Sequence, residues 1–287
     1  MNGIFQFACL VAAAPLLQGL LRSLRAKLQG RPGPSPLQPY RDLGKLWSKE
    51  ALVPSATSVL VIAAPGLALG VALTFAALVP PITVGGSTTA VNAVAMALLL
   101  GLSRFVLVLA ALDARSGFTA MAASREMTFA SLTEAPLILA LLSGAVSPSP
   151  EAVSAADTPV AGVLAAGALL LVMLSETARI PVDNQETHYE LTMIHEGLIL
   201  EYGGWQLALL QLGAYVRQAA FFVLAARMLP GTSWLTLVYI VAFALMIPLA
   251  ERIYAKMRLF EVPQLFASAT VLALASIGLR IAGLGTW

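Results

Sequence analysis

Eight predominantly apolar runs, most of about twenty residues, recur along this chain of 287 residues, and no other feature limits its fold so severely. A hydrocarbon layer of about 30 Å takes about 20 residues of helix to cross, whereas a soluble core has no use for so many such runs. They fall at Phe5 to Leu24, Thr57 to Val79, Val91 to Leu112, Thr128 to Val146, Val160 to Leu174, Trp205 to Met228, Trp234 to Leu249 and Pro263 to Gly283. The fifth is short unless it extends to Ser175 or beyond. Backbone groups inside a bilayer must bond within their own segment, so these runs are read as helices. A mean hydropathy of +0.84 agrees with that reading. The expected fold is an all-α integral membrane protein of about eight transmembrane helices with cytoplasmic connecting helices, forming one polytopic domain over residues 1–287.

Charge orients the spans. Of seventeen Lys and Arg, thirteen sit in or beside the connections after spans one, three, five and seven: Arg22, Arg25, Lys27, Arg31, Arg41, Lys45, Lys49, Arg115, Arg125, Arg179, Arg252, Lys256 and Arg258. The positive-inside rule makes those connections, about 25–56, 113–127, 175–204 and 250–262, cytoplasmic. An even number of spans then places both termini outside. The first span is too long, and too basic at its C-terminal end, for a removable signal peptide. Cys9 is the single cysteine, which excludes an internal disulfide and a cysteine-ligated iron–sulfur cluster built within the chain. No cofactor is expected in this chain, and nothing in its charge pattern points to nucleic acid.

Against this background Ser175 to Gly204 stands apart, with six acids, two His and one Arg. Glu176 and Arg179 close an apolar run that Pro181 breaks. A helix is expected next, with Asp183 or Asn184 as N-cap, Glu186 and Glu190 near its first turn, and Gly203-Gly204 as its stop. At helical spacing Glu186, Glu190, Gly197 and Glu201 share one face, while His188, Leu191, His195, Leu198 and Tyr202 share the opposite one. Carboxylates crowded into a partly dry site cannot all stay ionised, so Glu176, Asp183, Glu186, Glu190, Glu196 and Glu201 are candidates for a proton relay. His188, His195 and Arg179 are their candidate partners. A solvated helix with an ordinary charged face fits the composition equally well. Metal binding fits less well, because the two His are seven apart rather than four and no Cys is near.

Other charges lie within or beside the spans. Arg104 stands about 13 Å from the cytoplasmic end of its run, a position that needs a partner or water. Glu134, in LTEAPLILALL, lies at comparable depth, so an Arg104–Glu134 pair is geometrically permitted. An unneeded carboxylate is rarely tolerated there, which makes Glu134 a functional candidate. Asp113 sits at the boundary and can be either a relay or a structural group. Arg217, flanked by Gln211 and Gln218, is expected to face another helix, where a structural role is at least as good a reading as transport. Glu251, at a membrane edge, is ambiguous. After the first span, Gly30, Pro32, Gly33, Pro34 and Pro36 prevent regular helix, and a short amphipathic helix from Leu37 to Lys49 is expected beyond them, with Leu43, Leu46 and Trp47 on its apolar side. An anchor resting at the headgroups accounts for its charge. By position alone Arg125 and Glu126 are interfacial.

Three stretches resemble one family. ETARIPVDNQETHYELTMIHEGLILEY, GRPGPSPLQPYRDLGKLWSKE and DARSGFTAMAASREM are similar to loops of the membrane subunit of group 4, energy-converting NiFe hydrogenases of the formate hydrogenlyase, hydrogenase-4 and CO-induced types, which is related to subunit 1 of respiratory complex I. In complex I relatives the first of these loops has an ETxRxPxD opening and an EYxG ending but is shorter and lacks the MIHE piece, so the chain leans to the hydrogenase branch. The resemblance implies a subunit that docks a peripheral hydrogenase arm and links its electron transfer to proton or sodium movement. Arg41, Asp42, Lys45 and Lys49, with Arg125 and Glu126, become candidate docking residues. Glu134 falls where complex I relatives also place a membrane-embedded glutamate, and Arg104, Asp113 and the acids above complete the candidate relay. The NiFe centre and iron–sulfur clusters are then expected in partners: hydrogenase large and small subunits and an iron–sulfur subunit, beside antiporter-like membrane subunits, in a bacterial or archaeal cytoplasmic membrane.

Two other readings use the same architecture. A quinone-site subunit of a complex I-like dehydrogenase would line its chamber with these same loops, although the MIHE-containing loop argues against it. A stand-alone secondary transporter is expected to show internal repeats and discontinuous helices, and the sequence offers neither convincingly.

Overall fold

A computed structural model describes residues 3–52, 57–82, 89–146, 159–183, 194–258 and 260–284. Among the described residues there are ten helices: α1 (Gly3–Leu28), α2 (Gln38–Trp47), α3 (Val59–Leu78), α4 (Ala90–Asp113), α5 (Gly117–Ala145), α6 (Pro159–Glu176), α7 (His195–Leu198), α8 (Gly204–Arg227), α9 (Ser233–Ile253) and α10 (Val262–Leu284). All except α2 and α7 are long and apolar enough to cross a membrane, which matches the eight expected spans.

Local chemistry sets several helix ends. Ser58 and Thr89 cap α3 and α4, their side chains accepting from the backbone N–H groups of Leu60 and Asn92. The run expected to end at Leu174 reaches Glu176 and closes in a Schellman turn: Ala178 takes φ 50°, its N–H donates to Ser175 O, and the Arg179 N–H donates to Leu174 O at 2.8 Å. That turn aims Arg179 back into the protein.

The connection expected at 113–127 is mostly helix. Only Ala114 to Ser116 separate α4 from α5, and Arg125 and Glu126 stand within α5. The reason is that FTAMAASREM consists largely of residues that sustain a helix, so its charges end the hydropathy signal without ending the helix. The helix expected from Asp183 to Gly203-Gly204 also needs correction. Of that stretch, Asn184 to Met193, which holds Glu186, His188 and Glu190, lies outside the described residues. From His195 the backbone makes one turn, α7, and then bends through Ile199 to Gly203. Gly204 opens α8 instead of ending a helix. Its φ of +53° and the carbonyl of Glu50, 2.5 Å from where a Cβ would stand, require glycine there.

The spans differ in how deeply they are enclosed. In its most apolar stretch α8 is 72% buried and α9 only 22%, so α8 is central and α9 peripheral. α8 packs on α1, α3, α6 and α9, and α10 packs on α5 and α6. Small residues let α3 and α8 approach closely: a Cβ on Gly213 would lie 3.4 Å from the Leu69 Cα. Phe75 and Phe221, both fully buried, meet across that contact with ring centroids 5.2 Å apart.

Candidate functional site

Three buried ionic clusters occupy the ends of the spans nearest the polar connections. The first centres on Arg104, 7% exposed. Its Nη2 meets Glu176 Oε1, its Nη1 donates to Thr133 Oγ1 at 3.1 Å, and its Nε lies 4.0 Å from Glu126 Oε1. Arg104 therefore meets Glu176 rather than Glu134, the partner that depth permitted. Glu134 stands on the exposed side of α5, whereas the end of α6 delivers Glu176, 5% exposed, to the interior. Glu134 and Arg104 do line one apolar groove of about 390 Å³ between α4 and α5.

The second cluster holds Arg179. Its guanidinium donates to Glu251 Oε1 at 3.2 Å, to Gln18 Oε1 at 2.6 Å and to Gln218 Oε1 at 3.0 Å, while Arg25 Nε lies 3.5 Å from Glu251 Oε2. One carboxylate thus serves two cations contributed by different segments. Burial pulls Arg179 below the usual guanidinium range, and Glu251 opposes that shift.

The third cluster ties the connections together. Lys256 Nζ donates to Asp183 Oδ1 at 2.9 Å, and Asp183 Oδ2 accepts the N–H of His195, the first residue of α7, at 3.2 Å. The Met257 N–H donates to Pro181 O, adding a backbone link between the same two connections. Burial and the charge of Asp183 push the neighbouring Glu196 up to about 7, against the pull of Arg22. Burial also lowers His195, which keeps its imidazole neutral at pH 7. Tyr202 is pushed up to about 12 by burial and Asp113.

The remaining candidates separate. Asp113 is half-buried and accepts the Ser58 N–H at 2.8 Å, a tie between α4 and the start of α3. Glu201 joins none of the three clusters. Arg41, Lys45 and Lys49 are exposed on and beside α2, and Asp42 accepts from Gln38 and lies 3.9 Å from Arg22. Glu126, expected at the docking surface, instead has a side chain only 13% exposed and turned toward Arg104. Sequence reasoning left Glu251 undecided and missed Gln18, Gln218 and Arg25 as members of the Arg179–Glu251 cluster, and Lys256 as the partner of Asp183. Two amides inside apolar spans were the available signal, since a buried amide requires a partner.

Crowded acids with paired cations and one carboxyl titrating near neutrality can take up, hold and release protons. Among the described residues, no three His, Cys, Asp or Glu converge as metal ligands.

A family model described as NADH dehydrogenase matches residues 2–281. The chain belongs to the NADH dehydrogenase family. Within it, the chain is 31% identical over 286 residues to formate hydrogenlyase subunit 4 of Escherichia coli K12, covering 91% of this chain and 92% of that protein. It is 33% identical over 235 residues to hydrogenase-4 component C of the same organism, covering 76% and 72%. One relative is named for formate hydrogenlyase and the other for hydrogenase-4, so the kinship expected from the sequence holds. The fold is similar to a chain in the structure of a membrane-bound sulfane sulfur reductase, an archaeal respiratory membrane complex, with TM-score 0.76 over 98% of this chain and 100% of that one at 15% identity. That likeness concerns the fold. Family membership and the eight spans make this a multi-pass membrane protein.

Proposed function

We propose that the chain is the membrane-anchoring, ion-coupling subunit of an energy-converting NiFe hydrogenase complex, linking electron transfer in a peripheral arm to proton or sodium movement. The observation that carries this reading is the set of buried ionic clusters joining the Ser175–Gly204 connection to four spans, in a chain whose relatives are named as hydrogenase components. Arg41, Asp42, Lys45 and Lys49 present charge toward the arm. Glu176, Glu126, Arg104, Asp183, His195, Glu196, Arg179 and Glu251 form the relay, with Glu134 as its exit from the α4–α5 face. The partners in this reading are hydrogenase large and small subunits, an iron–sulfur subunit that with them carries the NiFe centre and clusters, and antiporter-like membrane subunits. The complex resides in a bacterial or archaeal cytoplasmic membrane with both termini of this chain outside.

Affinity purification of this chain from native membranes, and then reconstitution into vesicles, tests the reading. Expected are co-purified hydrogenase activity and ion movement that tracks electron transfer. Recovery of quinone reduction with NADH-binding subunits, and no hydrogenase, would overturn it in favour of the dehydrogenase alternative.

A further inference from the structure

We propose that the cavity enclosed by α1, α3, α4, α7 and α8 binds a small monovalent anion, with Arg217 as its principal ligand. The cavity measures about 80 Å³ and is lined by Arg22, Ser103, His195, Glu196, Tyr215 and Arg217 among apolar side chains. Arg217 lies midway along α8, is 7% exposed, and has an Nε with no hydrogen-bond partner. Among the described residues it makes no ion pair. The one carboxylate whose charge reaches it, Glu126, makes no direct ion pair with it and lies 4.0 Å from the Arg104 guanidinium. A buried guanidinium with no direct ion pair and an unpartnered Nε favours an anion over water, which supplies hydrogen bonds but no charge.

The rest of the wall is rich in donors. Arg22 donates to the Tyr215 hydroxyl at 3.3 Å, which leaves the phenol's own hydrogen for an acceptor. Ser103 adds a hydroxyl, and a neutral His195 adds a ring N–H without adding charge. Arg22 is a second cation, at the more open end. Glu196 opposes them, but burial and Asp183 hold much of it protonated near neutrality. The volume admits one ion of water size with a water or two, at about 30 Å³ each. That suits a halide or a compact oxyanion and excludes a nucleotide or a lipid headgroup. The proposal does not depend on ion coupling.

The test uses the intact detergent-solubilised complex, with bromide replacing gluconate at constant ionic strength. Expected are a saturable rise in Tm and an anomalous bromide peak against the Arg217 guanidinium. Arg217→Gln should raise the half-saturating bromide concentration at least tenfold, and Ser103→Ala several-fold, the second variant serving if the first does not assemble. Equal Tm in bromide and gluconate, no peak in the cavity, or undiminished affinity in whichever variants assemble would each overturn the site.

Discussion

Replacing Glu196 with Gln removes a titrating proton while keeping size and hydrogen bonding, and its effect should depend on pH in one direction only. Burial and Asp183 raise this carboxyl from 4.5 to about 7. The folded state therefore binds more protons than the unfolded state between those values, and wild-type stability is lost as pH rises through that window. A rise of that size corresponds to about 3 kcal/mol, taken as an upper bound. The variant lacks this slope. Apparent Tm of the solubilised complex, measured from pH 4.5 to 8.5, should show the two proteins converging at the acid end and the variant more stable above pH 7 by a constant margin. A gap independent of pH, or one that widens toward acid, would refute the argument that a desolvated carboxyl near Asp183 causes it.

Arg104→Gln strands Glu176, whose side chain is 1% exposed, and should cost about 3–5 kcal/mol, seen as less assembled subunit in membranes; adding Glu176→Gln should restore most of it. Glu251→Gln leaves Arg25 and Arg179 facing each other without their shared charge and should lower assembly by a similar amount, measured by quantitative immunoblot. Glu134→Gln breaks no ion pair among the described residues, so assembly should persist while ion movement per electron falls in reconstituted vesicles; an unchanged ratio removes Glu134 from the relay. Arg41→Glu with Lys45→Glu should release the peripheral arm at moderate salt, because exposed ion pairs are screened, and unchanged co-purification would remove these residues from docking.

The eight spans were readable because hydropathy over twenty residues reports depth along the membrane normal, and that quantity is local to the chain. Helix continuity past the polar boundary was not read. At Gly117 to Met127 the interface ends the apolar signal while the backbone continues unbroken, and at Ile199 to Gly203 the expected continuous helix gives way to a bend pinned by Gly204 against Glu50.

The ionic clusters show why the site was legible in part. Depth alone permitted an Arg104–Glu134 pair, but pairing also requires that two helices turn the same faces toward each other, which depends on rotation about each axis. Glu176 wins because α6 ends in a Schellman turn immediately after it, within reach of the Arg104 side chain, whereas α5 turns Glu134 outward. Arg179 makes the same point more strongly. Its partners Gln18, Gln218 and Glu251 are 161, 39 and 72 residues away and come from three different spans, each unremarkable in its own segment. Their meeting point exists only once α1, α8 and α9 have packed. Charges that stabilise the bundle are thus the same charges that bind the Ser175–Gly204 connection to it, so a change of protonation at Glu176, Asp183 or Glu251 must alter the hold of that connection on the spans. Under the proposed function, this mechanical link is the route by which chemistry in a peripheral arm would be felt inside the membrane.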